Sequence, residues 1–201
     1  MSEKSELKRH VIDLDRLPDA YPTQRHDPAF WEHLGRTVAT FGFLEQVLGK
    51  AIFSFTGTRP YTESEVEAAY AAWLSKLEHA LTDALGSLIN NFGKAVSDHP
   101  NATIENLDEL LLDLKKASDI RNVLCHGSWR LPNDQGASVP FFVNTQKMIF
   151  ETAVDIQFLK QTQRHAAELA CEVANTVTHM GWQFPGSSGP GEPIYVKGGN
   201  P

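Results

Sequence analysis

Apolar residues recur at alternating spacings of three and four along four separate stretches of this chain, a period that belongs to helices packed against one another. The first stretch opens with Asp27 as N-cap and Pro28 at the first helical position, and carries Trp31, Leu34, Val38, Phe41, Leu48, Ile52 and Phe55 before Gly57. The second opens with Thr62 and Glu65 as a capping box, and its stripe runs Val66, Tyr70, Trp73, Leu77, Leu81, Ala84, Leu88, Phe92. It must stop before Pro100, and Gly86 and Gly93 weaken its second half, so a break or bend is expected within 63–97. The third runs from near Thr103 through Ile104, Leu107, Leu111, Leu114, Ala117 and Leu124 to Gly127, placed as its C′ residue. The fourth starts near Thr152 and Asp155, follows Ile156, Leu159, Ala166, Ala170, Val173, Val177 and Met180, and stops at Gly181.

Residues 128–151 break this rhythm. Trp, Val and Phe clusters there are split by Pro-Asn-Asp-Gln-Gly and Asn-Thr, which predicts a small β-hairpin. The expected fold is therefore all-α: a four-helix up-down bundle over 27–182 with a β-hairpin inserted before the last helix. Residues 1–26 read as an extended arm, and 183–201, dense in Gly and Pro, as a flexible tail. A chain of 201 residues suits one such domain.

Composition narrows the function. With 18 Lys and Arg against 25 Asp and Glu the net charge is −7, which excludes a uniformly basic nucleic-acid binder and requires any RNA site to be a local one. Neither an apolar run of about 20 residues nor a secretory leader is evident, and the expected location is the cytoplasm, with no membrane partner. Cys125 and Cys171 form neither a disulfide framework nor a CxxC pair. No Glu stands three residues before any of the eight histidines, so the di-iron motif of helical bundles is missing. No two histidines sit three or four apart, and neither a phosphate loop, a dinucleotide fingerprint nor a serine elbow occurs. No metal or cofactor is expected.

What remains is the end of the third helix, Arg121-Asn122-Val123-Leu124-Cys125-His126-Gly127. Arg121 falls where the apolar stripe falls. His126 lies five residues on, about 140° around a continuous helix, so the two share a face only if the last turn unwinds before Gly127. Together they offer a fixed cation with paired donors, an amide, and an imidazole that titrates near neutrality, which suits cleavage of a phosphodiester whose own 2′-OH is the nucleophile. Lys115, Lys116 and Arg130 flank the motif and could track an RNA backbone, or form a solvated face. Trp129 could stack on a base, as could Phe41, Phe43 and Trp73, for which core packing is the plainer reading. Glu45 interrupts the stripe of the first helix as Arg121 interrupts that of the third. Two such charges on facing helices invite a salt bridge; Glu45 either orients Arg121 or His126, makes a purely structural pair, or makes no contact.

Arg121-Asn122-x-x-x-His126 resembles the R-N-x-x-x-H form of the motif of HEPN-domain proteins, and the helical architecture over 28–181 is similar to theirs. The resemblance implies a helical bundle that dimerises so that two motifs meet in one cleft. It also implies metal-independent endoribonuclease activity of the kind found in toxin–antitoxin and phage-defence systems. On that resemblance Arg121 stabilises the phosphate, His126 transfers protons and Asn122 holds substrate or Arg121. Partners would then be a second copy, RNA or nucleotide, and an antitoxin or regulatory protein. Two alternatives stay open: a non-catalytic helical module that binds nucleotide, RNA or protein, and a small-molecule enzyme with an unrecognised pocket.

Overall fold

The computed structural model describes residues 12–71, 74 and 83–187. Among them the protein is all-α, with α1 at Pro28–Gly57, α2 at Leu85–Ser97, α3 at Leu107–His126 and α4 at Ile156–His179. A short 3-10 turn occupies Leu14–Arg16, and residues 66–71 are also helical. The expected stacking residue Trp73 lies outside the described residues.

α1 begins where its sequence says it should. The Asp27 carboxylate accepts the Ala29 N–H at 2.7 Å, and Pro28 follows with its φ already set for a helix. Asp27→Ala should lower unfolding free energy by about 1 kcal/mol in urea titrations. The buried face of α1 includes Phe30, Leu34, Phe41, Leu44, Leu48, Ile52 and Phe55. Val38, expected on that face, is exposed, and Thr37 is buried instead. The Thr37 hydroxyl sits between the carbonyls of His33 at 2.8 Å and Leu159 at 3.1 Å, tying α1 to the first turn of α4. α1 is the one helix among the described residues long and apolar enough to cross a membrane, although the sequence was expected to hold no such stretch. Its apolar face is the centre of the core, packed most extensively against α4.

The second helical stretch does not run unbroken from 63 to 97. Thr62 donates its N–H and its hydroxyl to the Glu65 carboxylate at 3.0 and 2.6 Å, and these bonds hold that carboxyl below its usual range. The chain is helical at 66–71, non-helical at 83–84, and helical again from Leu85. α2 has its own stripe of Leu85, Leu88, Ile89, Phe92 and Val96, which inserts beside α1 and α3. Gly86 and Gly93 lie inside α2 and do not break it. A β-carbon on Gly93 would come within 2.8 Å of a Leu111 methyl, so the missing side chain lets α2 and α3 approach. α3 starts at Leu107, later than Thr103, because residues 102–106 form coil and turn.

Contacts between the ends give the directions. Gly86 lies near Ser118 and Gly93 near Leu111, so α2 and α3 are antiparallel. Phe55 at the end of α1 meets Phe92 and His99 at the end of α2, and Trp182 just after α4. With Thr37 bonded to Leu159, α1 and α4 therefore run the same way. An up-down order of four helices sets the first and last antiparallel. Here α1, α2 and α4 share a direction and α3 opposes them.

The segment between α3 and α4 forms three isolated antiparallel bridges, Ser128 with Phe141, Ser138 with Val154, and Val143 with Ile149, in place of a regular hairpin. Side chains satisfy the backbone where a ladder would have. Asn133 Oδ1 accepts the N–H groups of Gln135 and Ala137, and Asn144 Oδ1 those of Gln146 and Met148. Pro132 and Pro140 have no N–H to give. α4 is capped by Asp155, which accepts the Phe158 N–H at 2.7 Å, and ends at Gly181 with φ +76°.

Both expected chain ends reach into the core. Phe184 is buried, and Trp182 packs edge-on to Phe55 and His99, so the packed unit extends beyond 182. Before α1, residues 12–22 are exposed, but Thr23 accepts the Trp31 indole N–H at 2.9 Å and His26 is buried.

Candidate functional site

α3 carries the motif, and it stays α-helical through His126. The Gly127 N–H closes on the Val123 carbonyl at 2.8 Å, and Gly127 then turns extended at φ −69°, ψ 138°, not left-handed as a C′ glycine would be. The expected unwinding does not occur. Within one chain Arg121 and His126 therefore leave the helix about 140° apart, about 7.5 Å along its axis.

Arg121 meets Glu45 across the α1–α3 contact, with Nη2 to Oε1 at 3.4 Å, and its Nη1 lies 3.5 Å from Asn122 Oδ1. The two stripe-breaking charges thus come together. Their side chains are 26% and 27% exposed, so the pair is neither sealed nor free in water. These long contacts leave Nε and one hydrogen on each Nη of Arg121 uncommitted among the described residues. A pair at this exposure and distance contributes little stability, so Glu45→Gln should cost less than about 1 kcal/mol in urea unfolding.

His126 is exposed as the last residue of α3. Asn122 is half-buried beside Arg121, and Cys125 is exposed. Lys115 is exposed, whereas Lys116 pairs with Asp113 at 2.9 Å and thereby lowers that carboxyl's pKa. Arg130 lies over the Phe141 ring at 5.4 Å. Trp129 is half-buried, edge-on to Phe30 at 5.0 Å, Trp31 at 6.2 Å and His26 at 6.4 Å. Its ring is part of an aromatic cluster and is not laid open as a platform for a base. Phe41 is buried, but Phe43 is 52% exposed beside a hollow of about 170 Å³ between α1 and α4. Among the described residues no group of three or more His, Cys, Asp and Glu is placed to hold a metal.

The residue that the sequence reading missed is His26. The signal was present: it stands just before the N-cap Asp27, and Trp31 is the fourth residue into the helix. These are the two positions of a hydrophobic staple. Their rings meet at 5.0 Å. No family model, no curated protein and no solved structure matches the chain.

Proposed function

We propose that the protein is a metal-independent endoribonuclease of HEPN type that works as a homodimer, a component of a toxin or phage-defence system in the cytoplasm. One observation carries the reading: α3 presents an accessible imidazole at its end and, a turn earlier, a guanidinium braced by Glu45 and Asn122. Because the helix sets these groups apart, the reading needs two copies, so that α3 ends from both converge on one phosphate. Arg121 would neutralise a non-bridging oxygen. His126 of one copy would take the proton from the 2′-OH as its oxygen bonds to phosphorus. The P–O5′ bond would break, and the imidazolium of the other copy would protonate the departing oxygen. The products are a 2′,3′-cyclic phosphate and a 5′-OH.

Pure protein incubated with end-labelled RNA in EDTA should yield these two ends. Loss of cleavage in EDTA, or 3′-hydroxyl products, would remove the mechanism. A second reading, a non-catalytic helical module that binds nucleotide, RNA or protein, is favoured by the contacts Arg121 already makes within the chain. Ligand binding with no cleavage by the wild type at any protein concentration would select it.

A further inference from the structure

His26 occupies an unusual setting for a histidine. It is only 8% exposed, and neither ring nitrogen has a hydrogen-bond partner among the described residues. Its ring stacks on Phe30 at 4.7 Å and 28°, and meets Trp31 and Trp129 edge-on at 5.0 and 6.4 Å. Three separate pieces of chain close on it: the segment before α1, the first turn of α1, and the segment that leaves the end of α3. The Gln24 Oε1 beside it in sequence is also buried without a partner. The indole bond from Trp31 to Thr23 is the polar tie of this segment to α1.

We infer that His26 is an acid-released clamp, which as a neutral ring fastens the segment before α1 onto Trp129 and so fixes the chain path just beyond His126. The groups packed on its ring from α1 and from the segment after α3 are uncharged. The charged and titratable groups nearest along those elements are committed elsewhere or carry no opposite charge. Asp27 is turned to the Ala29 N–H, Glu32 pairs with Arg36, and Arg130 lies over Phe141. Arg25, His33 and His126 can offer an imidazolium no counter-charge. None of the rings in contact with His26 would balance a proton on it, whereas in the opened state water would.

Burial alone lowers the pKa of His26. The sign follows. The folded value lies below the ordinary one near 6.5, so the clamp's contribution is whole above about pH 6.5 and is lost as pH falls through the folded value. The geometry supports a local response, because the proton enters at the seam of three segments and not in the α1–α4 core. The inference rests on packing alone and holds or fails independently of the ribonuclease reading.

Backbone amide exchange of the full chain, corrected for the intrinsic pH dependence of exchange, tests it at about pH 7.5 and about pH 5. In the wild type, protection over residues 23–31 and 128–131 should fall together by about tenfold or more at the lower pH, while Leu169–Val177 in α4 holds. His26→Phe, which keeps a ring of similar shape without a proton site, should hold protection in both segments at both pH values. If that variant does not fold, His26→Met serves in its place, and the wild-type pattern is decisive by itself. Unchanged protection at low pH, a fall in one segment without the other, or an equal fall in His26→Phe would overturn the inference.

Discussion

His126→Ala should reduce RNA cleavage by about 10²–10⁴-fold, the usual contribution of a positioned acid–base group. Its thermal midpoint should stay close to wild type, because the imidazole is exposed at a helix end and fills no space in the core. Arg121→Ala should lose activity on a similar scale, with a small stability cost from the half-buried Glu45 it leaves unpaired. The sharper result comes from mixing. One imidazole cannot accept and donate a proton in the same step, and α3 stays helical to its end, so the proposed site draws on both copies. When subunits are exchanged at a roughly tenfold excess of His126→Ala, activity per wild-type subunit should fall about tenfold, since nearly every wild-type chain then has an inactive partner. Activity that stays proportional to the wild-type subunits would show independent sites and end the two-copy mechanism. A His126→Ala protein that cleaves as well as wild type would end the ribonuclease reading itself.

The parts of the fold set by local chemistry were legible in the sequence. Asp27 with Pro28, Gly57, Asp155 and Gly181 mark helix ends because caps and φ preferences act over a few residues. The approach of Glu45 and Arg121 was legible for a related reason: a charge on an apolar stripe must find a partner across the helix contact. What depends on the third dimension was not legible. A break within 63–97 was legible from Gly86 and Gly93, but it falls at 83–84 and both glycines sit inside α2, so the direction of α2, and with it the parallel pairing of α1 and α4, was hidden. A stripe drawn at strict spacing chose Val38, whereas Thr37 is buried because its hydroxyl has carbonyls on both α1 and α4 to bond. The two asparagines at 133 and 144 read as turn residues, yet their side chains take the backbone bonds a hairpin ladder would use. At the site, the motif was legible as residue types at a spacing. The continuous α3 that keeps its two ends apart depended on Gly127, whose role was read as conformational.

Gly127 has no conformational need to be glycine, and Gly127→Ala should still be costly. Its φ and ψ are those of any extended residue. The constraint is space: a β-carbon there would lie 2.6 Å from the Val123 carbonyl oxygen and 2.8 Å from the Cβ of buried Pro140. Neither neighbour can yield cheaply. One is the acceptor that closes the last turn of α3, and the other is a ring in the backbone next to the Ser128–Phe141 bridge. Overpacking of this kind costs about 1–3 kcal/mol, which for a chain of this size lowers the thermal midpoint by about 2–10 °C. Gly86→Ala makes the contrast. The nearest atom to a β-carbon there is Ser118 Oγ at 4.0 Å, inside a regular helix, so that change should be neutral or stabilising by about 0.4–1 kcal/mol. The two melts side by side separate the loss of glycine's freedom from the loss of room. If Gly127→Ala melts with the wild type, the chain can leave α3 by another path, and the placement of both His126 and Trp129 loses its anchor. If it melts early, the close approach of Pro140 is what stops α3 at His126 and keeps the imidazole at the rim of the bundle.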